Sequence, residues 1–276
     1  MAQVAKMRVW NVEKGLAVHV LAPNGKYLIV DLGSSSTVSP LKTRIIRKVP
    51  FMVITHPHHD HISDIGNINF SDPKVLWYAK SIPEDELLSD LGKEEKVNME
   101  SYLQFCHNHD GNLSPENNPE SGIPYRGMVV NVFSSEGCKE HKINNSSAIV
   151  VVKLGKVKIV ICGDNEEESL KQLMNDDNFR NVVKDAAILV APHHGRESGY
   201  VEEFAKWVNP VITIISDTAK SETSAIDKYD EISQGMNCYS TSSQTVTFRK
   251  CITTRKDGNI DITFSEDSLN VAYQNE

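Results

Sequence analysis

Cysteine is scarce in this chain of 276 residues: Cys106, Cys138, Cys162, Cys238 and Cys251 are odd in number, widely spaced and form no CxxC pair. A disulfide framework is therefore not expected, and the five read as reduced thiols. Long apolar runs are missing too. Nothing approaches the roughly 18 uninterrupted apolar residues of a membrane span, and MAQVAKMRVW lacks the apolar run of a signal peptide. The expectation is a soluble cytoplasmic protein with no membrane partner. Basic residues are in deficit, 29 against 37 acidic, for a formal charge of −8. That balance argues against a broad basic surface for non-specific nucleic-acid binding, although bound divalent cations would place positive charge locally. There is no internal repeat and no low-complexity tract. The 39% hydrophobic content suffices for a substantial core, so disorder is not expected.

The order of the apolar runs suggests the architecture. MRVWNV, LAVHVLA and YLIVDLG read as strands, the last two joined through PNGK, an Asn-Gly hairpin signal. A short helix is expected around residues 41–48, before the strand FMVIT. Residues 83–109 are acidic, polar and helix-prone, and a polar loop follows. Residues 80–125 are accordingly expected to form a helical and loop insertion or lid, rather than core, within one domain spanning 1–276. Strands resume at MVVNVF, SAIVVVKL and VKIVICGD, and a helix beginning near Asn165 would place Glu166, Glu167 and Glu168 in its first turn. The strand AAILVA, the helix VEEFAKWV, the strand VITIIS, a helix over 228–233 and β-prone tail segments complete the chain. Strand-rich runs in both halves fit two sheets with helices outside.

Three chemically loaded stretches follow buried strands: HPHHDH after FMVIT, GD after VKIVI, and PHHG after AAILVA. Six of the ten histidines, His56, His58, His59, His61, His193 and His194, lie in two of them. Imidazole with carboxylate suits zinc, manganese or iron. His56 and His58, two apart, can point the same way from an extended segment; Asp60 and His61 can reach a second ion. Asp164 is a carboxylate placed to bridge two ions, and His193 could close the second site. Two divalent ions about 3.5–4 Å apart activate water and clamp the group under attack, which is hydrolysis without a serine or cysteine nucleophile. The bland alternative, a polar loop with chance histidines, requires all three strand-end features to be coincidental.

The HxHxDH pattern resembles the signature of the metallo-β-lactamase superfamily. MRVWNVEKGLAVHVLAPNGKYLIVDLG, VITHPHHDHISDIG, NNSSAIVVVKLGKVKIVICGD, APHHGRESG and VITIIS are similar, within it, to the hydrolase domains of ComEC proteins. The resemblance implies an α/β (α+β) fold, a four-layer αββα sandwich with two divalent metal ions, zinc or manganese, at one edge between the sheets. It places His56 and His58 on the first ion, Asp60 and His61 on the second, Asp164 between them, and His193 as the ligand of the PHHG pair. His194 is then left behind the ligands or facing substrate, and His59 is peripheral. The chain departs from the pattern where another first-ion histidine is usual: NNSS stands there, with Asn144 and Asn145 as weaker amide donors and His141 as a neighbour that could bend back. Ser63 and Asp64 replace a glycine pair that often follows DH. His107 and His109 read as a surface loop, His19 as structural, and Asp31 as either a carboxylate orienting a ligand histidine or a turn cap.

Asp60, Asp164 and His194 are the residues expected to carry catalysis. The substrate implied is a nucleic acid or nucleotide phosphodiester, DNA first. A small ester, lactone or thioester is the alternative, as the same core serves many substrates and the acidic charge suits it. A non-catalytic binding module with a degenerate metal site is the third reading, supported by the missing histidine.

Overall fold

The computed structural model describes residues 3–43, 46, 48–68, 73–109, 113–140, 142–217 and 224–274. Its strands are β1 Ala5–Val9, β2 Val18–Leu21, β3 Tyr27–Val30, β4 Phe51–Val53, β5 Val75–Trp77, β6 Val129–Phe133, β7 Ile149–Leu154, β8 Val157–Ile161, β9 Ile188–Val190, β10 Ile212–Ile215, β11 Met236–Ser240, β12 Thr245–Arg249, β13 Cys251–Thr253, β14 Ile260–Phe264 and β15 Leu269–Tyr273. The helices are α1 Pro40–Thr43, α2 His59–Ile62, α3 Glu84–Leu87, α4 Lys93–His107, α5 Lys142–Asn145, α6 Glu167–Leu173, α7 Asp177–Val183, α8 Glu202–Val208, α9 Ile226–Ile232 and α10 Thr254–Asp257.

Two sheets form, one ordered β12-β11-β15-β14-β1-β2-β3-β4-β5 and the other β13-β10-β9-β8-β7-β6. Alternation along each strand separates the layers, since successive side chains point to opposite faces. In β7, Val150 and Val152 face the other sheet, with Val18, Val20 and Val53 among their cluster. Ile149 and Val151 face outward, in a cluster with Leu170, Phe179, Phe204 and Tyr229 of α6, α7, α8 and α9. On the larger sheet, Ile29 and Met52 turn to α1, α2, α3 and α4 through Leu41, Ile62, Leu87 and Met99. The four layers are αββα. All five cysteines are free thiols. Among the described residues, no helix is long and apolar enough to cross a membrane.

The hairpin expected at PNGK joins β2 to β3, closed by Ala22 N donating to Lys26 O at 2.9 Å. Of the helix expected over 41–48, the described part is Pro40–Thr43; residues 44, 45 and 47 lie outside the described set. The expectation that the 80–125 segment stays out of the core is corrected for α4. Met99, Tyr102 and Cys106 recur at spacings of three and four, so they share one helix face, and all three are buried against the larger sheet.

What places the site is the direction of the inner strands. β4 runs parallel to β3, and β8, β9 and β10 run parallel to one another, so the loops after β4, β8 and β9 leave at strand C-terminal ends.

Candidate metal centre

The loop after β4 is held by a buried carboxylate. Thr55 donates to Asp31 twice, from its backbone N at 2.6 Å and from Oγ1 at 2.7 Å, and His61 Nδ1 donates to the same carboxylate at 2.7 Å. Asp31 has no solvent exposure and sits at φ 60°. Of the two readings open from sequence, it is the orienting carboxylate. Glycine is required where the loop passes β1: a Cβ on Gly15, at φ +99°, would lie 1.8 Å from the Asp60 carbonyl oxygen. Asp64 anchors the stretch where a glycine pair often stands, accepting from Ser39 Oγ (2.7 Å), Leu41 N (2.9 Å) and Asn67 Nδ2 (2.8 Å).

Two donor sets converge. One comprises His56, His58 and Asp164, the other Asp60, His61 and His194, each set with its ligand atoms within 4.8 Å of one another. His56 Nε2 and His58 Nδ1 are 3.0 Å apart, and His61 Nε2 and His194 Nε2 are 3.4 Å apart. Asp164 reaches both sets: Oδ2 is 3.7 Å from His56 Nε2 and 3.2 Å from His194 Nε2, and Oδ1 is 3.2 Å from His61 Nε2. The far nitrogens fix the tautomers. His61 Nδ1–H is spent on Asp31, and His194 Nδ1–H on the Ser216 carbonyl at 3.1 Å. Thr55 Oγ1, whose proton goes to Asp31, accepts from His56 Nδ1 at 3.2 Å. In the neutral rings the Nε2 lone pairs then face inward, as metal ligation demands. Asp164 Oδ1 is buried without an aligned hydrogen-bond donor. These donors fit a pair of divalent cations.

The pair in PHHG takes the reverse of the expected order. His194, expected behind the ligands, is the one grouped with Asp60 and His61. His193, expected as the ligand, sits with Nε2 3.9 Å from Asp164 Oδ2, its Nδ1 2.8 Å from Ser198 Oγ and 3.1 Å from Glu166 Oε1. The cause is backbone conformation. Both histidines are left-handed, φ 46° and φ 55°, and Gly195 continues at φ 68°. That turn carries the second histidine inward. Non-glycine residues pay about 1–3 kcal/mol each for such conformations, and His193 N donating to Gly163 O at 2.9 Å helps hold them. Glu166 also departs from expectation. It is the residue before α6, with φ −114° and ψ −169°, and its buried carboxylate turns to Asn144 and His193 instead of lying in the first turn.

Burial, partly offset by Asp164, holds His56 well below the ordinary imidazole range, and burial also lowers His58 and His193. Those rings are neutral and available near pH 7. His61 moves the other way: burial opposes its charge, but Asp164 and Asp31 outweigh burial and raise it well above the usual range. Asp164 is held well below the carboxylate range because His194, His61 and His56 overcome its burial. Its ionised form is the one the site is built around.

Above these groups lies a cleft of about 300 Å³ lined by Lys14, His58, His59, Asp60, Glu95, Asn144, Asp164, His193, His194 and Arg196. Lys14 Nζ is 3.6 Å from Asp60 Oδ2, with its side chain mostly exposed. His59 is at the rim, its Nδ1 3.4 Å from Asn98 Nδ2 of α4. His107 pairs with Glu84 at 2.6 Å, and His109 donates to the Phe105 carbonyl at 2.8 Å, both away from the donor sets. His19 is buried edge-on to Trp10. His141 lies outside the described residues. Sequence reasoning missed Lys14, Thr55, Glu166 and Arg196 as site residues. A signal existed for two of them: Lys14 precedes the obligatory Gly15, and Thr55 precedes His56, the first of the candidate donors.

Residues 16–101 match the family model of the metallo-beta-lactamase superfamily. Among curated proteins the chain is 27% identical over 190 residues to "ComE operon protein 3" of Bacillus subtilis, covering 67% of this chain and 22% of that protein. It is 22% identical over 214 residues to "Recombination protein 2" of Haemophilus influenzae, covering 75% of this chain and 23% of that protein. The chain thus spans less than a quarter of the length of these two relatives. It is also similar to the crystal structure of Tm1679, a metal-dependent hydrolase of the β-lactamase superfamily, with a TM-score of 0.52, 14% identity and coverage of 95% of this chain and 99% of that one. The ligand motif, the αββα layers and the family match over residues 16–101 agree in making the chain similar to the metallo-β-lactamase superfamily, and within it to the ComEC group.

Proposed function

We propose that this chain hydrolyses phosphodiesters, with DNA as substrate. The observation that carries the reading is the carboxylate of Asp164 joining two donor sets beneath a cleft that also bears Lys14 and Arg196. His56, His58 and Asp164 would hold one divalent cation; Asp60, His61, His194 and Asp164 would hold the other. Zinc or manganese bound there supplies Lewis acidity, an activated water and neutralisation of phosphate charge. The chain's own cations answer the rest of that charge. Arg196 offers a planar fork to non-bridging oxygens and Lys14 a point charge, which a molecule of net charge −8 needs locally. His193, neutral and half-turned to the cleft, is placed to take up or release a proton at Nε2, with Nδ1 anchored by Ser198 and Glu166. The resemblance to ComEC hydrolase domains, and a relative named for recombination, support DNA over a small ester.

The test is cleavage of single- and double-stranded DNA by the purified protein with Mn²⁺ or Zn²⁺, with Asp60→Ala as the control for contaminating nucleases. Metal-dependent cleavage that falls at least about 100-fold in the variant is expected, since the centre acts as a unit. No cleavage with either ion, together with turnover of p-nitrophenyl acetate or a thioester, overturns the substrate class.

A further inference from the structure

The first donor set is one ligand short of the second. His56 and His58 share only Asp164, whereas Asp60, His61 and His194 form a full set to which Asp164 is added. The shortfall falls where NNSS stands in place of a histidine, and the four side chains there have different employment. Asn145 Oδ1 accepts from Glu166 N at 3.0 Å and Ser169 N at 3.3 Å, and its Nδ2 donates to Glu140 O at 2.8 Å. Ser146 Oγ donates to Ile143 O, and Ser147 Oγ accepts from Asp164 N at 3.1 Å. All three are structural. Asn144 is not fully used.

Asn144 is 9% exposed and lines the same cleft as His58 and Asp164. Its Nδ2 donates to Glu166 Oε1 at 2.7 Å, while Oδ1 is buried without a hydrogen-bond donor. Flipping the amide would set a carbonyl oxygen against a carboxylate, so Glu166 fixes which atom is left over. A buried carbonyl with no partner is unfavourable, and an electron-pair acceptor in the cleft removes that cost. From this, on the two-cation reading above, we infer that the Asn144 carboxamide oxygen completes the first cation site. Glu166 is its positioning residue, since it reaches the ion only through the amide. The site then has two imidazole nitrogens, a shared carboxylate and a neutral amide oxygen, against a second site with two imidazoles and two carboxylates. An amide oxygen is a harder and weaker donor than imidazole, so the first site is the more weakly zinc-binding of the two and discriminates less against Mn²⁺.

The experiment is competitive titration of Zn²⁺ and of Mn²⁺ against a chromophoric chelator, with ion counting by mass spectrometry, for wild type, Asn144→His, Asn144→Asp and Asn144→Leu. Unfolding of each metal-free variant serves as the folding control. Wild type binds two ions in separated steps. In Asn144→His the weaker zinc step tightens by about tenfold or more, and in Asn144→Leu the same step weakens by about tenfold for both ions, the tighter step being unchanged in each. Asn144→Asp keeps an oxygen donor and holds or tightens Mn²⁺, so it and the histidine variant carry the test if the leucine variant does not fold. Two wild-type steps that no substitution moves overturn the Asn144 assignment and leave the two-cation centre standing. A wild type that binds no more than one ion overturns the centre itself, and this assignment with it.

Discussion

Asp31 shows how much of the centre rests on a residue outside both donor sets. Its buried carboxylate takes Thr55 N, Thr55 Oγ1 and His61 Nδ1, and so sets the exit of the loop after β4 and the ring orientation of His61 together. Asp31→Ala strands a buried N–H and frees the His61 tautomer. The expected loss is about 3–5 kcal/mol in stability of the metal-free protein and about 10–100-fold in zinc affinity. Asp31→Asn tolerates the left-handed backbone and keeps one acceptor oxygen, so a smaller loss in both is expected. Urea unfolding of the metal-free proteins and chelator competition measure the two losses; an alanine variant with wild-type zinc affinity would reduce Asp31 to a turn cap. The convergence of the HxHxDH side chains was legible in the sequence because coordination demands particular side chains at fixed spacing. The choice between His193 and His194 was not, because it depends on two non-glycine residues adopting positive φ, which residue type does not announce. Glu166 was hidden likewise: a glutamate before a helix looks like a partner for the helix dipole until its neighbours Asn144 and His193 are placed in space.

At the scale of elements, the strands were legible, because uninterrupted or alternating β-branched runs such as VKIVI and AAILVA have one use in a chain of this size. Their pairing was less so: β15 lies parallel to β11 and antiparallel to β14, an arrangement set by long-range contacts. Helix α4 misled because its sequence, KEEKVNMESYLQFCH, is polar except for a narrow stripe. That stripe reaches the larger sheet, and the helix also packs against α2, the turn carrying His59, Asp60 and His61. Tyr102 is 1% exposed, so Tyr102→Ala removes a full aromatic side chain from the core and is expected to cost about 3–5 kcal/mol. Val97 on the opposite face is 56% exposed, and Val97→Ala is expected to stay within about 0.5 kcal/mol. Urea denaturation of the pair separates a core helix from a detachable lid: similar midpoints for both variants would mean that α4 contributes no core.

At the scale of the whole molecule, the centre is where side chains from the loops of both sheets converge. His56, His58, Asp60 and His61 follow a strand of the larger sheet, while Asp164 and His194 follow strands of the smaller one. Much of the remaining contact between the sheets is apolar, through residues such as Val53, Val150 and Ile161. Cations bound by donors from both sheets would therefore act as a cross-link present only in the native state, because the unfolded chain does not assemble either donor set. Linkage sets the size of the effect: free ion at 100 times its dissociation constant adds about 2.7 kcal/mol for one site. A chain this long gains roughly 2–4 °C in Tm per kcal/mol, so a rise of about 5–10 °C is expected on saturating one site, and more on filling both. Calorimetry of the chelator-treated protein, before and after addition of Zn²⁺ or Mn²⁺, measures it. Asp164→Asn keeps the shape of the shared carboxylate but not its charge, and should abolish most of the rise while leaving the metal-free protein folded. A Tm that ignores saturating metal in the wild type would mean that the donor sets do not close on ions in the native state, and the cross-link would have to be abandoned.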